Sequence, residues 1–330
     1  MQALIHDRYG SPDVLELREV ATPSLNDDSV LIRVHAASVN PLDWYMLTGR
    51  PLFARALTGI RRPKSRIRGR DVAGRVEAVG ANVTHLQPGD DAFGLCEGSF
   101  ADYALASADS VGRMPKNLTY AQAACVPVAG LSALQALRDK GQLQAGQTVL
   151  INGAAGGVGT FAVQIARAMG AQVTGVCSTR NVELVHSLGA ERVIDYGSED
   201  FTDRGERYDL IIDNVGNRGI SALRRAMTPS GRCVIVGGPK RSRLWGPVGS
   251  MLGKKLASTF VSQAFVMFRA SPNRNDLQAL CDLVESGAVT PVVDKTYTLA
   301  DAPSALRQIE GGHTRGKLAV LIRLASDGEH

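Results

Sequence analysis

Apolar and polar positions alternate through the first third of the chain. In "VLIRVHAASV", residues 30–39, Val30, Ile32, Val34 and Ala36 fall on one face of an extended strand. "VAGRVEAVG", residues 72–80, repeats the pattern ahead of the Gly and Pro punctuation of "QPGDDAFG". Together they predict a compact β-rich unit. The middle third has another rhythm. Short Val- and Ile-rich runs ("QTVLING", "AQVTGVC", "ERVIDY", "YDLIIDNVG", "RCVIVGG") are separated by segments such as "GTFAVQIARAMGA" and "NVELVHSLGA", where apolar residues recur at three and four. Strands alternating with helices of this length predict βαβ units and a parallel sheet covered on both faces. Around Pro291 the short-strand pattern returns in "VVDKTYTL" and "KLAVLIR", so the chain is expected to re-enter its first domain. The fold class expected is α/β, with a β-rich domain over 1–120, a doubly wound parallel-sheet domain over 121–284 and the return over 285–330.

Composition narrows this picture. The 330 residues suffice for two domains on the usual scale of about 100–200 residues each, and 44% apolar with 21% charged residues is the balance of an ordinary globular protein. No basic start precedes an apolar run at the N-terminus, and no apolar stretch approaches the roughly 18 residues that span a membrane, so a cytoplasmic protein is expected. Cys96, Cys125, Cys177, Cys233 and Cys281 are scattered without metal-type or redox-type spacing and read as reduced, buried thiols. The net charge of +5 is less informative than its distribution: residues 50–70 hold eight basic side chains and no acid. That segment reads as a solvated loop or one that steers an anionic ligand. A nucleic-acid surface is disfavoured because Phe53 is its sole aromatic.

The chemistry begins after the strand "TVLIN". The run "GAAGGVG" places Gly153, Ala154, Gly156, Gly157, Val158 and Gly159 between a predicted strand and a predicted helix inside a βαβ unit of about 30 residues, the context a dinucleotide-binding loop requires. Gly156 would let a pyrophosphate approach the backbone, Gly159 would let the helix pack close to the strand, and the helix start offers N–H groups to phosphate. Ala154 stands where many such loops carry their first glycine. About 20 residues on, where an acid would bind the adenosine ribose of NAD, the turn reads Ser178, Thr179, Arg180, Asn181. An Arg can grip the 2′-phosphate of NADP through charge-assisted hydrogen bonds, so NADPH is the cofactor expected. The plainer alternative has Ser178 or Thr179 capping the next helix and Arg180 in water. Tyr196 could also reach the adenosine end or simply pack.

The motifs "GRDVAGRVEAVG", "QPGDDAFG", "GSFADYALA", "VPVAGLSALQAL", "GAAGGVG" and "GKLAVLI", in that order over nearly the whole chain, resemble the medium-chain dehydrogenase/reductases of the zinc-independent quinone oxidoreductase type. Within that family they are similar to the NAD(P)-dependent alcohol dehydrogenase and reticulon-4-interacting oxidoreductase groups. The resemblance implies a GroES-like catalytic domain and a Rossmann domain, compatible with a homodimer. No metal is expected: Asn40 stands where the zinc branch has a Cys, Arg70 and Asp71 where it has His-Glu, and Cys125 alone near the third ligand cannot make a tetrahedral site. The resemblance places Asn40 and Tyr45 at the nicotinamide pocket with Asp43 close by, although Trp44, Tyr45 and Met46 could equally just pack a helical turn. It sets the backbone of Val215, Gly216, Gly237 and Gly238 against the nicotinamide, Gly130 in a hinge helix and Lys317 near the cofactor's entrance. Residues 239–269, with the basic insert of residues 61–70, are not generic to the family and are expected to shape the substrate pocket or its rim. The function expected is hydride transfer from NADPH to a quinone or α,β-unsaturated carbonyl, a small-molecule substrate taken in a cleft between the domains. The alternatives are a zinc-independent alcohol or carbonyl dehydrogenase, and a binding or scaffold protein for which NADPH is only a ligand.

Overall fold

The computed structural model describes residues 1–52, 55–238, 262–312 and 314–323. The chain divides into two compact units, one made of Met1–Val128, Pro272–Ser286 and Pro291–His330, the other of Ala129–Ser271 and Gly287–Thr290. In the first unit β1 (Gln2–Ile5) and β2 (Glu16–Glu19) form an antiparallel pair. The strands β3 (Ser29–Val39), β4 (Asp71–Val79), β5 (Asp91–Leu95), β6 (Tyr103–Ser107) and β7 (Val111–Arg113) build most of a larger sheet. The alternation seen in the sequence is what buries it. Val30, Ile32 and Val34 from β3 pack with Val72 and Val76 from β4 in one cluster, and Ala37 and Val39 join Trp44, Leu47 and Phe100 in another. A strand that feeds two cores along its length cannot slip register without exposing one of them.

The second unit is a six-stranded parallel sheet of β8 (Thr148–Asn152), β9 (Gln172–Cys177), β10 (Arg192–Asp195), β11 (Tyr208–Asp213), β12 (Met227–Ile235) and β13 (Ala264–Met267), in spatial order β10-β9-β8-β11-β12-β13. This is the doubly wound order of a Rossmann fold, whose direction of winding reverses between β8 and β11 and so leaves a crevice at their carboxyl ends. Part of the segment expected to form a pocket rim is structural instead: Ala264–Met267 is the edge strand, paired with β12 from Arg232↔Ala264 to Ile235↔Met267. The stretch 239–261 of that segment lies outside the described residues.

The last strands, β14 (Val293–Thr298) and β15 (Lys317–Leu321), return to the first unit. There β15 pairs antiparallel with β3 and parallel with β14, giving the order β14-β15-β3-β4-β5-β7 with β6 beside β3. Hence β15, β3 and β4 are adjacent. Gly316 makes the entry to β15 at φ +68°, and a Cβ there would stand 2.3 Å from the Val292 carbonyl oxygen, so only glycine brings Lys317 in at this point.

The basic segment is anchored rather than simply solvated. Arg68 is 7% exposed, Arg55 lies over the Tyr9 ring at 4.4 Å and donates to the Gly49 carbonyl at 3.0 Å, and Arg66 pairs with Asp7. The solvated-loop reading describes Arg61, Arg62, Lys64 and Arg66, which are exposed, but not Arg68, which is buried and donates to the Ser65 carbonyl. Among the described residues no helix is long and apolar enough to cross a membrane.

Candidate functional site

Candidate chemistry sits in each unit. In the parallel-sheet unit, β8 runs into the glycine loop and the helix Gly157–Ala168. Gly153 has φ +79°, and the N–H groups of Gly153 and Ala154 both donate to the Val176 carbonyl, at 3.1 and 2.9 Å. A Cβ on Gly159 would stand 2.1 Å from the Gly153 carbonyl oxygen, whereas on Gly156 the nearest atom would be that oxygen at an ordinary 3.4 Å. The fold therefore demands glycine at 159 and tolerates a side chain at 156. What Gly156 spares is room at the helix start, and no side chain caps that start. The N–H groups at Gly157, Val158 and Gly159 are accordingly presented to an anion, with the helix dipole behind them. Ala154 replaces glycine without cost because its methyl faces Gly175 of β9, where a Cβ would come within 3.0 Å of it.

At the carboxyl end of β11, the Asp213 carboxylate accepts from the N–H groups of Val215 (3.2 Å) and Gly216 (2.8 Å) and from the Asn152 side chain (2.9 Å). A Cβ on Gly153 would meet the Val215 side chain at 2.9 Å, and one on Gly237 would meet the Asn214 carbonyl oxygen at 2.1 Å. Gly153, Val215, Gly216 and Gly237 thus share one locale, and Gly238 directly follows. The Asn214 side chain donates to the Asn152 carbonyl at 3.0 Å, and its side-chain oxygen is buried with no hydrogen-bond partner. These residues fit a dinucleotide: an uncapped helix start that can take a pyrophosphate, and turns at Val215–Gly216 and Gly237 whose backbone is close-packed. Asn152 and Asp213 escape a motif search; their one signal is a polar residue closing an apolar strand, in "VLIN" and "LIID".

The turn after β9 does not behave as a helix cap. Neither Ser178 nor Asn181 makes a side-chain capping bond; Asn181 instead donates to the Ser178 hydroxyl at 3.1 Å. Thr179 donates to Asp195, the last residue of β10, which lies opposite Cys177 in the parallel ladder. The Thr179 hydroxyl and the Gly197 N–H hold the Asp195 carboxyl below its usual range. An acid therefore does stand at this tip, supplied by the neighbouring strand. Arg180 is exposed beside it, and Tyr196 is 54% exposed. Gly130 lies buried within the helix Pro127–Gln135, away from these turns in sequence.

In the first unit the adjacent strands β15, β3 and β4 deliver Lys317, Ser38, Asn40 and Asp71 to one place. Leu318 pairs with Val39 and Ser38 with Asp71, which brings residue 317 opposite residue 40. The Lys317 ammonium donates to the Asn40 side-chain oxygen at 2.6 Å and to Asp71 Oδ2 at 3.0 Å. Asn40 Nδ2 donates to the same Asp71 oxygen at 2.9 Å, as does the Ser38 hydroxyl, while Val128 N–H donates to the other carboxylate oxygen at 2.8 Å. Asn40, Asp71 and Lys317 are 3%, 0% and 4% exposed. Four donors around one carboxylate are what make so buried a charge tolerable. Lys317, expected near the cofactor's entrance, is an internal cation.

Asp43 accepts the Asn40 backbone N–H at 2.8 Å and so fixes the start of the helix Pro41–Thr48; burial pushes its carboxyl up to about 6. Tyr45 is half-buried, edge-on to Trp44 at 5.1 Å, and burial raises its hydroxyl, which therefore stays an O–H donor at neutral pH. Tyr45 packs against the core cluster of Trp44 and Leu47. Zinc does not fit here. A lysine ammonium already occupies Asn40 and Asp71, and burial pushes the Cys125 thiol up to about 12, away from the thiolate that zinc takes. Among the described residues no group of three or more His, Cys, Asp or Glu is placed to hold a metal.

Comparison with known proteins agrees with this architecture. The family model described as an alcohol dehydrogenase GroES-like domain matches residues 26–116, and that of a zinc-binding dehydrogenase matches residues 188–320. The chain is 33% identical over 365 residues to the mitochondrial NAD(P)H oxidoreductase RTN4IP1 of Bos taurus, covering 98% of this chain and 89% of the relative. It is 31% identical over 335 residues to the 2-methylene-furan-3-one reductase of Solanum lycopersicum, covering 97% and 79%. The quinone oxidoreductase structure from Coxiella burnetii superposes with a TM-score of 0.85 at 32% identity, over 98% of this chain and 99% of that one. With its GroES-like and Rossmann units, the chain belongs to the medium-chain dehydrogenase/reductase family, in its quinone oxidoreductase-like group.

Proposed function

We propose that the protein is an NADPH-dependent reductase of quinones and α,β-unsaturated carbonyls. The observation that carries this reading is the donor set around Asn40. It offers an amide hydrogen, backed by an ammonium committed to Asn40 and Asp71, and no thiolate, so an acceptor oxygen receives a hydrogen bond in place of a Lewis acid. Conjugated acceptors suffice with that, because the arriving electron pair is spread over the enone or aromatised in the quinone. The reduced nicotinamide, when bound, supplies the hydride. In this reading Asn40 polarises the acceptor oxygen, and the Tyr45 hydroxyl, which burial keeps protonated at neutral pH, gives or orients the balancing proton. Asp43 holds the Asn40 backbone in position.

The glycine loop, the Val215–Gly216 turn and Gly237–Gly238 bind the dinucleotide in this reading. Preference for NADPH rests on Arg180, with Ser178 and Tyr196 beside it, against Asp195. Arg180 attracts a 2′-phosphate and the Asp195 carboxylate opposes it, so the selectivity expected for NADPH is bounded. Product analysis with a simple enone tests the reaction. A saturated ketone is expected; an allylic alcohol would favour a carbonyl dehydrogenase instead.

A further inference from the structure

We infer that Lys317 is a positioning residue that acts through Asn40, its ammonium fixing which end of the carboxamide meets an acceptor; this deepens the proposed reductase reading and rests on it. An ammonium only donates hydrogen bonds and a carboxylate only accepts them. With Lys317 Nζ 2.6 Å from Oδ1 and Asp71 Oδ2 2.9 Å from Nδ2, the carboxamide has one permitted orientation. Turned over, it would set N–H against the ammonium and C=O against the carboxylate, in a site where both ions are almost wholly buried. One amide hydrogen is committed to Asp71. The second is the only uncommitted hydrogen on the side chain, so Asn40 meets an acceptor as a donor.

The attachments of Lys317 suit that task. Its backbone N–H donates to the Val292 carbonyl at 2.8 Å, Gly316 sets its entry, and the β15–β3 ladder fixes its register against residue 40. The ammonium also draws electron density from the Asn40 carbonyl, which strengthens the remaining N–H as a donor. Lys317 itself is 4% exposed, with its nitrogen committed to two protein oxygens, and need not touch the acceptor.

The test is a double-variant cycle with NADPH and a quinone acceptor. Lys317→Met keeps the side-chain length and removes the ammonium. It is expected to leave NADPH affinity, read by nicotinamide fluorescence, within about twofold, while kcat falls about tenfold or more and acceptor KM changes little. In an Asn40→Ala background the same substitution is expected to cost less than about twofold further. Equal fold losses in both backgrounds would overturn the inference, as would an unchanged kcat in Lys317→Met. If Lys317→Met does not fold, Asn40→Asp carries the test: it keeps an oxygen facing Lys317 and lacks the N–H. A folded Asn40→Asp protein with wild-type NADPH affinity and at least about tenfold lower kcat is expected; kcat within twofold of wild type would overturn the inference. A wild-type protein inert towards every conjugated acceptor would instead sink the reductase reading.

Discussion

The glycine loop and the Asn40–Lys317 cluster solve opposite problems. The loop is made of backbone: packing keeps glycine at 153 and 159, and Gly156 leaves room at an uncapped helix start whose N–H groups and dipole suit an anion. The cluster is made of side chains, an ammonium, a carboxylate, an amide and a hydroxyl, all buried and committed to one another. A backbone site depends on what is missing and fails by steric intrusion. A side-chain site depends on what is paired and fails by unpairing or by titration.

Glycine substitutions give the largest expected effects and divide the loop within itself. Gly159→Val should cost several kcal/mol, because a Cβ 2.1 Å from the Gly153 carbonyl oxygen cannot be accommodated without moving the helix; thermal unfolding would show it. Gly156→Ala should leave the melting temperature nearly unchanged yet weaken NADPH by about tenfold or more, read by titration. Equal destabilisation at both positions would break the distinction between packing glycine and ligand glycine. In the cluster, Asn40→Ala is expected to lower kcat for a quinone by about 100-fold, on the scale of losing one oxyanion donor, with NADPH affinity retained.

Next comes pH. Burial, with the nearby Arg68 charge second, pushes His6 down to about 4 from its ordinary 6.5, and the ring is 1% exposed. The unfolded chain therefore takes up this proton at a higher pH than the folded one. Stability from His6 is full above about pH 6.5 and is lost as pH falls towards 4, by on the order of a few kcal/mol. His6→Gln should flatten that slope in denaturant titrations; an unaltered slope would assign the acid sensitivity elsewhere. The smallest effect expected is at the adenosine end. Arg180→Ala should lower the NADPH-to-NADH ratio of kcat/KM by about tenfold, while Asp195→Asn should raise it.

The same contrast explains what was legible beforehand. The glycine loop lies within seven consecutive residues, and the strands around it are short apolar runs set between helical segments, so local pattern sufficed for both. Lys317 could be placed at the site by resemblance, but its partners at 40 and 71 are distant in sequence, and a register between β15 and β3 brings them together. The Ser178–Asn181 turn carries no acid of its own, and Asp195 arrives across the sheet, from the strand beside β9. The strand Ala264–Met267 was obscured because it follows a long segment without a repeating pattern and takes its identity from pairing with β12. Arg68 looked like one more charge in a basic loop, and burial is a property of what packs over it.

The most direct measurement is NADPH oxidation by the wild-type protein with a quinone, an enone and an unconjugated aldehyde, repeated with NADH. Turnover with the quinone and the enone, background rates with the aldehyde and about tenfold higher kcat/KM with NADPH than with NADH are expected. Turnover confined to the aldehyde, or none with any acceptor while NADPH still raises the melting temperature, would contradict the assignment of this protein as a reductase of conjugated carbonyls.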